Sequence, residues 1–191
     1  MGEDNRGAAR EKDELIGVDV PDKLHIGGTE RRAGWQVLNV QPGEHVDHVA
    51  DLRNLDQFAD NSFDLVYGSH VLEHFGYIDD LPLVINSLHR IIRPGGRLLA
   101  SVPDLEILSR MIADDSLTID ERFHLMRMLF GGQTDPYDFH YVGLDMGIMT
   151  HYLSSAGFRE VYRVPYFNIF ADSSNTLYKD TLISLNVVAF K

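Results

Sequence analysis

Two histidines and a glutamate stand close together in Ser69-His70-Val71-Leu72-Glu73-His74, and a further histidine lies in Asp138-Phe139-His140-Tyr141. On a helix, His70, Glu73 and His74 would share one face at i, i+3 and i+4. Neutral imidazoles and a carboxylate are ligands for a divalent ion, and an acid beside a metal-bound water can act as a base. The literal H-x-x-E-H is also the motif of inverted zinc peptidases. Its context argues against that use, because it follows directly on the buried apolar run Phe63-Asp64-Leu65-Val66-Tyr67-Gly68 instead of sitting inside a long helix. The chain has no cysteine, so a metal site must be built from imidazole and carboxylate. Without a metal, His140 and then His74 are the candidate general bases.

A second set of residues sits where apolar runs stop. Gly27-Gly28-Thr29 follows one run, Asn39 closes the next, Asp51-Leu52 follows a third and Ser69-His70 a fourth. Glycine lets a backbone approach a ligand closely. Asn39 can accept a hydrogen bond from a ribose hydroxyl, though without the charge that makes a carboxylate a strong bidentate acceptor. Asp51 could take an adenine amino group while Leu52 covers the ring.

These positions matter because of the elements that present them. From Lys23 onward, short apolar runs alternate with helical periodicity, the pattern of an α/β sheet covered on both faces. Strands are predicted near 23–27, 36–40, 46–50, 63–68, 97–102, 159–166 and 181–190, and ligands of a doubly wound sheet bind outside the carboxyl ends of its strands. The clearest helix is predicted over 80–93, where Leu81, Val84, Ile85, Leu88, Ile91 and Ile92 recur on one face before Arg93-Pro94-Gly95-Gly96. Further helices are predicted at 104–114, 118–130 and 144–156. The connection after Gly27 is too short for a normal crossover, so its helix must be cut to a turn or two or replaced by a loop. Residues 1–20 read as an acidic arm and 21–191 as one domain, with an acceptor lid over about 105–145. In that lid Phe123, Met126, Met128 and Phe130 stand beside Gly131-Gly132 and could cover a substrate or form a dimer face.

KLHIGG at 23–28, GW at 34–35, VADLRNL at 49–55, NSFDLVYGSHVLEHF at 61–75 and LHRIIRPGGRLLASVPD at 88–104 together resemble the class I S-adenosylmethionine-dependent methyltransferases. The closest likeness is to small enzymes of that class that accompany polysaccharide biosynthesis. The resemblance implies a Rossmann-like, doubly wound, seven-stranded sheet, mostly parallel with an antiparallel last strand. It implies S-adenosylmethionine lying across Gly27, Gly28, Thr29, Asn39, Asp51, Leu52, Ser69 and His70. Thr29 replaces the second glycine of the usual G-x-G, and Asn39 replaces the usual acid. Some O-methyltransferases of the class carry a similar E-x-x-E-H turn with a distant histidine, and that likeness implies a magnesium or zinc site at His70, Glu73, His74 and His140.

Composition narrows the partners. Lys and Arg number 17 against 29 Asp and Glu, a formal charge of -12. Such acidity opposes binding to a phosphate backbone, so no nucleic-acid partner is expected. No long apolar stretch or charged-then-apolar N-terminus appears, so neither a membrane span nor a signal peptide is expected, and a cytoplasmic location follows as the default. The resulting expectation is an O-methyltransferase acting on a small molecule or glycan, with a homodimer as one assembly. The alternative is a methyltransferase-like binding module or partner subunit that has lost activity, suggested by Thr29 and Asn39.

Overall fold

The computed structural model describes residues 14–191. Nine strands are present among them: β1 (Lys23–Ile26), β2 (Trp35–Asn39), β3 (His48–Val49), β4 (Phe63–Ser69), β5 (Ile92–Pro103), β6 (Glu160–Val164), β7 (Leu177–Tyr178), β8 (Thr181–Leu182) and β9 (Ser184–Phe190). The helices are α1 (Asp80–Ile91), α2 (Leu105–Ile112), α3 (Ile119–Phe130) and α4 (Met146–Ser155). Seven strands form one sheet in the order β3-β2-β1-β4-β5-β9-β6. The pairs from β3 through β5 are parallel, and β9 runs antiparallel to both neighbours. Because β2 and β4 lie on opposite sides of β1, the order reverses there and opens a crevice at the carboxyl ends of β1 and β4.

Alternation along the central strands fills two cores. Val66, Leu98, Ala100, Val102, Leu185, Val187 and Ala189 face one side, where Leu81, Val84, Ile85, Leu88 and Ile91 of α1 and Met149 and Leu153 of α4 pack on them. Leu65, Tyr67, Leu99 and Val188 face the other. The seventh predicted strand is split, its first residues forming the β7–β8 hairpin with Leu177–Tyr178 and its remainder forming β9.

Residues 27–34 contain no helix, so the short first crossover is a loop. The sheet face it leaves open is closed from far along the chain by Phe167, Ile169 and Phe170, joined by Ile16. Tyr67 anchors that cover through a hydrogen bond from its hydroxyl to Asp172 Oδ2. His25 stacks on Phe170 with ring centroids 4.0 Å apart, edge-on to Tyr67 and Trp35, and is only 5% exposed. It is a core histidine. The acidic arm expected over residues 1–20 falls mostly on residues 1–13, outside the described residues; of the remainder, Ile16 is buried and Arg97 Nη1 donates to the carbonyls of Glu14 and Leu15.

Burial lowers the His25 pKa to about 4, against the opposing pull of Asp172. The folded protein therefore resists protonation of a group that the unfolded chain protonates near pH 6.5, so His25 costs stability as pH falls below that value and stops costing more below about 4. Between pH 7 and pH 5 this amounts to about 2 kcal/mol. Urea melts of the wild type and of His25→Phe at both pH values should show the variant losing about 2 kcal/mol less on acidification, and equal losses would refute the assignment.

Candidate active site

A cleft of about 730 Å³ opens at the strand reversal, within the range of small-molecule sites. Gly27, Asn39, Asp51, Leu52 and His70 of the expected cofactor residues line it; Gly28, Thr29 and Ser69 do not. Gly27 has φ +68°, and a Cβ there would lie 2.6 Å from Val71 Cγ2, so any side chain in the turn after β1 would be strained and would displace Val71. Asn39 Nδ2 donates to the carbonyl of Gly28 at 3.0 Å while Oδ1 accepts from Gln41 N at 2.9 Å. An aspartate could accept the second bond but could not donate the first, which gives a physical reason for asparagine at this strand end. Its oxygen keeps one lone pair for a ligand. Asp51 is gripped by Arg53, whose Nε lies 3.0 Å and 3.1 Å from the two carboxylate oxygens, and this pairing lowers the Asp51 pKa. Arg53 also reaches Asp80 at 3.6 Å. Gln41, Arg53, Val71 and Phe75 line the cleft and were not singled out from the sequence; only their places beside the strand ends could have suggested them.

Past β4 the expected helical face gives way to different geometry. His70 takes φ +54°, and only Leu72–His74 form a short 3-10 turn. The left-handed residue turns His70 away from the position it would hold on a helix. Its Nε2 lies 3.0 Å from Ser184 Oγ, and that hydroxyl donates to the carbonyl of Ser173 at 2.8 Å. With its single proton committed, Ser184 must accept from His70 Nε2–H, leaving the Nδ1 lone pair 3.4 Å from Glu73 Oε1.

The segment from α3 to Tyr141 carries the other half of the cluster. A capping box between Thr118 and Glu121 starts α3, as the T-x-x-E spacing allows, and Gly131 (φ +82°) follows its end. The chain then folds so tightly that a Cβ on Gly131 would fall against the Asp138 carbonyl. Asp138 holds this loop, accepting from Gly132 N, Thr134 N and Thr134 Oγ1. Asp104 likewise has a structural task, capping α2 and pairing with Arg163 at 2.6 Å. The returning strand of the loop is pinned to the turn by Tyr141 N donating to the Glu73 carbonyl at 2.8 Å.

Glu73, His74 and His140 thereby converge: one ligand atom from each lies within 4.8 Å of the others, and among the described residues this is the group of histidine and acid side chains with metal-site spacing. His74 Nδ1 lies 3.0 Å from the Phe139 carbonyl and His140 Nδ1 lies 3.1 Å from that of Met128. A carbonyl only accepts, so both Nδ1 atoms carry the proton and both Nε2 atoms present lone pairs. Glu73 is 1% exposed, and neither carboxylate oxygen has a hydrogen-bond partner. Burial pushes its pKa up to about 8, burial likewise lowers that of His70 to about 4, and burial with the neighbouring His74 lowers that of His140. A buried carboxylate ringed by lone pairs is compensated only by a proton or a cation.

The model of the methyltransferase domain family matches residues 4–100. A comparison of the sequence with curated proteins finds no match. Among solved structures, the fold is similar to a SAM-dependent methyltransferase from Archaeoglobus fulgidus (15% identity, TM-score 0.59, 97% of this chain and 93% of that one). It is also similar to the 1,6-didemethyltoxoflavin-N1-methyltransferase of Burkholderia thailandensis, solved with 1,6-didemethyltoxoflavin and S-adenosylhomocysteine (18% identity, TM-score 0.56, 97% and 77%). A third likeness is to an S-adenosylmethionine-dependent methyltransferase from Mesorhizobium loti (15% identity, TM-score 0.54, 97% and 100%). Among the described residues no helix is long and apolar enough to cross a membrane. The family match covers half of the chain and the strand order agrees with it, so the chain belongs to the methyltransferase domain family as an S-adenosylmethionine-dependent methyltransferase.

Proposed function

We propose that the protein transfers the methyl group to a hydroxyl of a small molecule or glycan, with S-adenosylmethionine along Gly27, Asn39, Asp51 and Leu52 and the acceptor between that cofactor and the lid. The observation that carries this reading is the convergence of His74, which lines the cleft, with His140 and the buried Glu73 carboxyl behind it, His140 Nε2 lying 4.0 Å from Glu73 Oε1. A sulfonium already activates its methyl group, so a neutral amine can attack first and lose its proton afterwards, whereas a hydroxyl must shed its proton as it attacks. A site that assembles basic atoms next to the cleft suits the second case.

The donor set also fits a divalent ion. Both imidazoles give their other nitrogen to a backbone carbonyl, the outer contact that fixes the tautomer of metal-bound histidines. Two nitrogens and a carboxylate suit zinc better than magnesium. Glu73, His74 and His140 would hold it, with His70 Nδ1 on the same carboxylate, and it would supply Lewis acidity toward a bound hydroxyl. The chain's own part is to orient the acceptor against Phe139 and Tyr141, which line the cleft, and to exclude water with the lid. In the metal-free protein the base would be a histidine of this cluster: His74 lines the cleft, whereas Glu73 and His140 stand behind the lining residues, with His140 Nε2 4.0 Å from Glu73 Oε1.

Three measurements test this reading. Calorimetric titration with S-adenosylhomocysteine should give saturable binding in the wild type and at least about tenfold weaker binding in Gly27→Ala; no heat at millimolar ligand would remove the cofactor assignment. Zinc titration should give one site per chain, weakened about 10- to 100-fold in both Glu73→Gln and His140→Ala, and unchanged affinity in those variants would remove the metal. Methyl transfer from labelled S-adenosylmethionine to a panel of phenols, sugars and amines should favour hydroxyl acceptors and fall in chelator. Transfer to amines alone would overturn the O-methylation reading.

A further inference from the structure

The outer face of α3 carries an apolar stripe that the fold itself leaves open. Ile119, Phe123, Met126 and Phe130 are 65%, 55%, 40% and 55% exposed. Their spacing of four, three and four residues places them within about 60° of one another around the helix, the seam of a two-helix coiled coil. The opposite face is already occupied, with Leu125 buried against Leu108 and Ile183 and with Met128 and Leu129 beside them. Thus α3 has one face for its own lid and another with no covering among the described residues.

The charges flanking the stripe say what fits there. Asp120 and Arg127 lie on the same flank, seven residues apart, and neither has an ion-pair or hydrogen-bond partner among the described residues. The other flank differs: Arg122 is spent on the carbonyls of Ile112 and Asp114. If a second α3 packs antiparallel on the first, a twofold axis midway between Phe123 and Met126 sets Phe123 against the partner's Met126 and Ile119 against the partner's Phe130. The same axis keeps each flank on its own side. It brings Asp120 to within about 3 Å, along the helix axis, of the partner's Arg127, and the symmetric pair forms at once. A parallel arrangement, with its twofold along the helix axes, would put the two copies of this flank on opposite edges and form neither pair.

We infer that the protein forms a twofold-symmetric homodimer through α3, with Ile119, Phe123, Met126 and Phe130 as its apolar seam and two reciprocal Asp120–Arg127 ion pairs along one edge. Such self-complementarity is what an isologous interface requires. It also gives local attraction to a chain whose formal charge of -12 makes two copies repel. The interface would bear on the site, because the Met128 carbonyl that orients His140 belongs to the same helix.

Sedimentation equilibrium of the full chain at tens to hundreds of micromolar tests the inference. The wild type should be a dimer and Phe123→Glu a monomer with unchanged circular dichroism. Asp120→Arg should weaken association about tenfold or more by opposing like charges at both pairs, and the double exchange Asp120→Arg with Arg127→Asp should restore it. A monomeric wild type, a dimer that survives Phe123→Glu, or a double exchange no stronger than the single reversal would each overturn it. If Phe123→Glu does not fold, the charge exchange decides alone.

Discussion

A parallel sheet must be covered on both faces, and in this chain the stretch from Gly27 to Gly34 is too short to cover one of them with a helix. Much of the remaining architecture answers that constraint. The aromatic side chains of Phe167 and Phe170, remote in sequence, lie over Tyr67 and His25, and Tyr67 ties the segment to the sheet through Asp172. Because this cover ends in Ser173 and Ser174, the same segment delivers the Ser173 carbonyl that commits the Ser184 proton and so sets the tautomer of His70. The missing helix and the orientation of a histidine beside the cleft are consequences of one shortage of chain.

The cluster at Glu73 makes sense on the same physical terms. A carboxylate with neither a donor nor a cation at either oxygen would be unfavourable in the interior, and the imidazole nitrogens facing it, His70 Nδ1 at 3.4 Å and His140 Nε2 at 4.0 Å, offer lone pairs. Packing alone would not select this arrangement, since an apolar residue in place of Glu73 would remove the conflict. In the metal-free protein a proton on Glu73, whose pKa burial raises to about 8, removes the conflict, and the proposed cation would replace that proton among atoms already oriented.

Regular periodicity made much of the fold legible in the sequence. The α1 stripe and the alternating apolar runs identify α1, β1, β2, β4 and β6 within about two residues at each end, because burial on a helix face or in a sheet leaves a pattern, whereas β5 begins at Ile92 and takes in Arg93-Pro94-Gly95-Gly96, five residues before the strand expected at 97–102. The cover at residues 165–172 was invisible, since an irregular segment packs by particular contacts and not by a period. Among the site residues, Gly27, Asn39, Asp51, Leu52 and His70 were readable as strand-end positions, yet their commitments were not: Asn39 to Gly28 and Gln41, Asp51 to Arg53. The helical reading of His70, Glu73 and His74 failed because one left-handed residue at His70 breaks the face, and a partner 114 residues away at Ser184 fixes where that ring points.

Neither the sheet nor the segment around α3 contains the cluster alone. Glu73 and His74 come from the turn after β4, whereas His140 comes from the loop after α3; Tyr141 N to the Glu73 carbonyl and His74 Nδ1 to the Phe139 carbonyl hold the halves in register, and His140 N to the Phe130 carbonyl ties the loop to α3. The bond to the Phe139 carbonyl also sets the tautomer of His74, so the loop chooses which nitrogen the sheet's own histidine presents. Displacing this loop by one hydrogen-bond length would move His140 away from Glu73 and break the bond from His74 Nδ1 to the Phe139 carbonyl. Order at the loop and order at the cluster are therefore one equilibrium, and whatever stabilises α3 from outside, a second copy included, also stabilises the nitrogen lone pairs inside.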